Sequence, residues 1–170
     1  MRSLMRLFRS EPSIARPLYD AVVARARQPR WFREAGVPDT VEGRFCVLTT
    51  LLALVDLRLE GGEDEARRLS VGLSECFIDD MTGELRQMGV GDPVVSKRVG
   101  GLVGALGGRV GAWRRVMKGE ESWAEVVGRS VFRGSLPSEQ AGETVERWLR
   151  DFWAALQSQP DEALASGVLP

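Results

Sequence analysis

Two carboxylates invite a chemical reading first. Asp80 and Glu84 stand one helical turn apart in a stretch where Leu69, Leu73, Cys76, Phe77, Met81, Leu85 and Met88 recur at helical spacing. Both fall inside the arc of that apolar stripe, whereas Asp79 points away from it. Such a pair can act as general acid and base or hold two metal ions. Di-iron bundles, however, add Glu-x-x-His motifs, and this chain of 170 residues has no histidine. The same absence removes, within the chain, Ser-His-Asp and Cys-His hydrolases, HExxH proteases, His-ligated haem and Cys2His2 zinc. The preferred reading is structural, because buried carboxylates are normally paired. The simplest partners are Lys97, Arg98 and Arg109 in the basic stretch that follows. A third option is an open groove in which the carboxylates meet a partner.

Gly100, Gly104 and Gly108 recur at four-residue spacing along one ridge of a helix, each at a cost of about 1 kcal/mol relative to alanine. A flat ridge of this kind lets another helix approach closely. Packing against a helix of the same fold is the preferred reading, with a docking strip for a partner helix as the alternative. No phosphate loop is implied, since no strand precedes these glycines and no GK[ST] follows. Cys46 and Cys76 lie in apolar stretches and read as reduced core thiols of a cytosolic protein. Of the five tryptophans, Trp148 fits a buried stripe with Phe152, while Trp153 falls at its edge.

The elements that position these residues are helical throughout. Asp39 and Glu42 form an N-cap signal before Val41, Phe45, Leu48, Leu52, Val55 and Leu59, and Gly61-Gly62 stops that first long helix. A second starts near Glu63 to Glu65 and ends at Gly89-Val90-Gly91. Asp92-Pro93 opens a third through Val95, Val99, Leu102 and Leu106. Leu18, Val22 and Val23 read as an earlier helix ending before Pro29. Trp123 to Val131 forms a short one, and a long one opens near Pro137, runs to Leu156 and is closed by Pro160. Period-two alternation is absent, so the expected fold is all-α: a single-domain bundle of about six to eight helices. Its expected organisation is a short basic segment over 1–17, a helical domain over 18–158 and a mobile tail over 159–170.

The charge is dealt in blocks: net +5 over 1–35, −6 over 56–92, +6 over 97–118 and −5 over 119–170, within a total of −1. Mutual neutralisation of neighbouring helices is the simpler consequence; a basic face for a ribosome, RNA or an anionic membrane is the sharper one. No uncharged stretch approaches the roughly 20 residues of a membrane span. The first residues carry Arg2, Arg6 and Arg9 without the apolar core of a secretory signal. A cytoplasmic location follows as the expectation, in association with the inner face of the membrane if the first segment touches lipid.

The segment from Phe77 to Asp92, FIDDMTGELRQMGVGD, followed by Val95-Ser-Lys-Arg-Val99, Gly107-Gly-Arg109 and Trp113, resembles the signature of the ubiquinol-cytochrome c chaperone family. Tyr19 to Val23, Trp31-Phe32, Val37 to Thr40, Gly43 to Phe45 and Arg129 to Gly134 fit the same pattern. The match covers roughly residues 18 to 134. The chain departs from it in having no histidine between Leu48 and Leu59 and in the glycine content of the third long helix. The resemblance implies an all-helical, non-enzymatic assembly factor of respiratory complex III, of bacterial type given the lack of a long targeting sequence. Mitochondrial members act with a small partner at the ribosomal tunnel exit and bind newly made cytochrome b.

The resulting expectation is a chaperone that holds cytochrome b or another hydrophobic membrane subunit in a groove between the second and third long helices. The expected contact residues are Asp80, Met81, Leu85, Arg86, Met88, Gly89, Val90, Gly91, Asp92, Lys97, Gly108 and Arg109. The ribosome, the membrane surface and a second copy of the chain are further candidate partners; DNA and cofactors are not expected. The alternative is a generic helical adaptor that docks to the ribosome or an anionic membrane through its basic blocks. An enzyme using Asp80 and Glu84 ranks third.

Overall fold

The computed structural model describes residues 13–170. Arg2, Arg6 and Arg9, and with them most of the expected N-terminal basic segment, lie outside the described residues. Eight helices follow in order among those that are described: α1 (Arg16–Ala26), α2 (Arg30–Arg33), α3 (Val41–Glu60), α4 (Asp64–Gln87), α5 (Asp92–Met117), α6 (Trp123–Ser130), α7 (Glu139–Ser158) and α8 (Asp161–Ala165). The class is all-α, as the periodicities imply.

Local capping explains most boundaries. Ser122 and Ser138 each accept the N–H of the third residue on, Glu125 at 3.2 Å and Ala141 at 3.1 Å. The start of α3 differs by one residue from the sequence expectation. Thr40, in extended backbone, caps by accepting the Gly43 N–H at 3.1 Å, and Asp39 instead pairs with Arg44 at 2.7 Å. Gly43 is required there: a Cβ would sit 1.9 Å from the Pro38 carbonyl oxygen.

Helix α3 is the centre of the bundle, buried over most of its length and packed by α1, α4, α5 and α7. A main core draws side chains from all eight helices, with Tyr19, Trp31, Phe77, Trp113 and Phe152 as its large members. Trp148 is half-buried and packs edge-on against Trp31 at 5.4 Å, and Trp153 is half-buried as well. Cys46 and Cys76 are free and buried.

Residues 159–170, expected as a mobile tail, include α8. Arg58 on α3 donates to the carbonyls of Leu156 and Gln159 and to Asp161 Oδ1, at 3.0, 2.8 and 2.8 Å. This bracket turns the chain at Pro160 and starts α8, whose Leu164 is fully buried. One apolar anchor and one half-buried arginine hold the segment down, a combination that leaves no periodic signal.

Candidate functional site

The hairpin between α4 and α5 is built by the Met88-Gly-Val-Gly-Asp92 run. Helix α4 ends in a Schellman motif: the Gly89 N–H meets the Arg86 carbonyl at 2.9 Å and the Val90 N–H meets the Leu85 carbonyl at 3.1 Å. Gly89 takes φ +77° there, a conformation that favours glycine. Val90 packs back on Leu85, the apolar contact that accompanies this cap. Gly91 is the N-cap of α5 and Pro93 sits in its first turn. Asp92, expected as the capping side chain, instead reaches back across the turn to Arg86 Nε at 3.1 Å.

Beneath this turn lies a second, small core of Leu85, Val95 and Val99, with Met81 and Val90 against it. Outside it, Met88 is 64% exposed, Val94 47% and Val103 36%. Lys97 and Arg98 are exposed and form no ion pair among the described residues. The glycines of α5 continue this surface. A Cβ added at Gly100, Gly101, Gly104, Gly107 or Gly108 would meet nothing within 4 Å. The preferred expectation, that the ridge packs against a helix of its own fold, is thereby overturned. Spacing placed the glycines on one face, but the neighbouring helices cover the opposite one.

The expected polar contacts fall elsewhere. Asp80 is half-buried and pairs with Arg16 of α1 at 3.1 Å, not with Lys97, Arg98 or Arg109; Arg16 also approaches Asp20 at 3.6 Å. Burial, followed by the charge of Asp80, pushes the Tyr19 phenol up beside this pair. Glu84 is exposed rather than inside the stripe, because the bundle covers α4 less completely toward its C-terminal end. Arg109 lies roughly 25 Å along α5 from Asp92 at 1.5 Å per residue. Its guanidinium donates to Cys46 Sγ and to the Ser130 carbonyl, each at 3.2 Å, and stacks 5.8 Å over the Phe45 ring. It ties α5 to α3 and to the end of α6.

The structure therefore gathers Met81, Leu85, Arg86, Met88, Gly89, Val90, Gly91, Asp92 and Lys97 at one hairpin and leaves Asp80 and Arg109 outside it. Gly108 lies further along the exposed face of α5. Sequence reasoning missed Val94 and Val103, which flank the glycine face at its two edges. Val94 stands off the Val95 and Val99 stripe at 100° per residue, whereas Val103 follows Val99 by one turn and gave no such signal.

Other openings lie away from this surface. A cleft of about 820 Å³ at the opposite end of α4 is lined by Arg58, Gly61, Gly62, Glu63 and Asp161 among others, and the Arg58 donors there already have partners. Among the described residues no three His, Cys, Asp or Glu side chains gather as metal ligands, and no helix is long and apolar enough to cross a membrane.

No curated protein matches the chain. Among solved structures it is similar to the Cbp3 homolog from Brucella abortus, with 29% identity and a TM-score of 0.78, over 97% of this chain and 94% of that one. The model of the ubiquinol-cytochrome C chaperone family matches residues 33–169, well over half of the sequence, and the chain belongs to that family.

Proposed function

We propose that this protein, as a non-enzymatic assembly chaperone of respiratory complex III, binds cytochrome b or a similarly hydrophobic membrane subunit on the α4–α5 hairpin and the outer face of α5. The observation that carries the reading is the uncovered surface of α5: five glycines with open space above them, flanked by exposed Val94 on one edge and Val103 on the other. An apolar client helix gains close backbone approach on such a face and leaves its own polar groups satisfied. Met88 adds an adaptable apolar contact at the hairpin tip, and Lys97 supplies charge beside it. In this reading the Arg86–Asp92 pair and the glycine cap shape the tip, while Arg109 and Asp80 brace the framework behind it. The chaperone works in the cytoplasm at the inner face of the membrane.

Docking of a basic block to the ribosome or to anionic lipid has less support over residues 97–118. Arg114 pairs with Glu60 at 2.7 Å and Arg115 with Glu121 at 3.2 Å, while Arg109 points inward. An acid/base role for Asp80 and Glu84 has as little, since Asp80 is engaged by Arg16 and Glu84 is solvated.

The test replaces Gly104→Leu and, separately, Val94→Asp in a respiring bacterium whose own copy carries the change. Both sites are exposed, so the purified variants should melt within a few degrees of the wild type. Complex III assembly, followed by the haem spectrum of membranes and by recovery of newly made cytochrome b with the tagged chaperone, should fall several-fold. Assembly and capture that match the wild type in both variants would remove this surface from the function.

A further inference from the structure

The described chain enters the fold by crossing α4 in close contact. A Cβ added at Gly72 would stand 2.8 Å from the Ala15 Cβ and 2.8 Å from the Ser13 Oγ, so the crossing requires glycine. Ala15 is fully buried, and Arg16 pins the crossing through Asp80 at 3.1 Å. Residues 1–12, which lie outside the described residues, are joined to the fold at this point.

The same point is one wall of an apolar cleft. A recess of about 500 Å³ runs beside Ser13 and Ile14 and over Val71 and Gly72, with Arg68 and Glu75 on its rim. Ile14 is 58% exposed and Val71 60%. Ile78, two turns on from Val71 and on the same side of α4, is exposed as well. At 100° per residue, Asp64, Arg67, Arg68, Glu75 and Asp79 flank Val71. Arg67 pairs with Asp64 at 3.2 Å. Arg68, Glu75 and Asp79 form no ion pair among the described residues, nor do Glu63 and Glu65 at the start of the helix. The cleft is thus apolar at its floor and lies in a negative field.

We propose that this cleft between the start of α1 and α4 is the docking site of the chain's own residues 4–9, with Leu7 and Phe8 in the recess and Arg6 and Arg9 toward Glu75 and Asp79. Composition and position select this occupant. Residues 1–12 supply Leu4, Met5, Leu7 and Phe8, and their arginines at 2, 6 and 9 outnumber Glu11. Phe8 stands five residues before Ser13, a reach of at most about 18 Å, and the recess begins at Ser13 itself. An anionic membrane is repelled by the carboxylates around the cleft, and a second copy meeting it face to face would oppose like charges. Val71 lies about 25 Å along α4 from Met88 at the hairpin. The site does not depend on the client surface proposed on α5, so the two readings fail separately.

The experiment compares the full chain with Phe8→Asp, Val71→Asp and the double variant, following thermal melting and the methyl resonances of Ile14 and Val71. Phe8→Asp should lower Tm by about 2–4 °C and shift both sets of methyls, since it removes the ring beside them. Val71→Asp should give a similar loss, and the double variant should lose no more than the larger single change, because both break one contact. Phe8→Leu, which keeps the apolar side chain, should hold Tm and still move the methyls. Methyl resonances unchanged by both Phe8 substitutions overturn the proposal, as do losses in Tm that simply add. Methyl shifts that depend on protein concentration would assign the cleft to a second copy. Co-sedimentation with phosphatidylcholine–phosphatidylglycerol vesicles that needs Phe8, with the methyls unmoved by its substitution, would assign the segment to lipid. Either result also overturns it.

Discussion

Helix α5 is continuous from Asp92 to Met117, yet its two halves have different surroundings. The C-terminal part buries Val110, Ala112, Trp113 and Val116 in the main core and is tied down by Arg109, by Arg114 to Glu60 and by Arg115 to Glu121. The N-terminal part buries only Val95 and Val99, against Leu85, and carries five glycines with open space where a side chain would stand. Stability is thus concentrated at one end of a single element. Each exposed interior glycine lowers helix stability by about 0.5–1 kcal/mol with no packing gain to offset it. The thin end has the features of a low-stability unit: few buried apolar contacts and many solvated backbone hydrogen bonds. The client surface proposed above is well placed there, because close approach is possible and the loss of local order leaves the main core intact.

The largest test of this contrast is Trp113→Ala. Full burial in the main core predicts a loss of about 3–5 kcal/mol in urea unfolding, enough to threaten folding. Leu85→Ala, in the small hairpin core, should cost less, about 2–3 kcal/mol, near the lower end of the range for such truncations. Equal costs for the two would erase the distinction between the ends. Combining Gly100→Ala, Gly104→Ala and Gly107→Ala should act in the opposite direction and stabilise by about 2 kcal/mol in total, with slower amide exchange confined to residues 92–108. A destabilised triple variant would mean that the ridge is covered after all.

Smaller effects sharpen the description of the packed end. Asp80→Asn removes a half-exposed ion pair with Arg16 and should cost about 0.5 kcal/mol, measured by thermal or urea unfolding. Least visible is the pH dependence of Asp56 on α3. Burial pushes its carboxyl above the ordinary value, against the Ser70 hydroxyl that donates to it at 2.5 Å. The folded protein then binds the proton more tightly than the unfolded chain, so stability falls as pH rises from the ordinary aspartate value through the raised one. Asp56→Asn should flatten that part of the stability–pH curve, and an unchanged slope would exclude Asp56 as its source.

Much of the fold was legible because helices announce themselves locally. The stripe from Leu69 to Leu85 and the opening of the long helix near Pro137 each involve residues within one or two turns of one another. The two shortest helices were not legible. Helix α2 is ordered by the burial of Trp31, and α8 by Leu164 and the Arg58 bracket, which spans 103 residues to Asp161. The site divided in the same way. The turn chemistry of Gly89 and Gly91 is local and marked the hairpin correctly. The partner of Asp80 was misassigned because Arg16 stands 64 residues away, and nothing in the intervening sequence encodes that α1 lies across α4.

What the sequence determined by itself was an all-helical chain without imidazole chemistry, its long helices, its family signature and the position of the glycine-capped hairpin. All of these depend on residue type and on spacing within a few turns. Only the tertiary structure decided that the glycine face of α5 looks outward and that Arg109 works inside the bundle. Those facts depend on which helix covers which face, and that is settled by long-range burial, to which local spacing is blind.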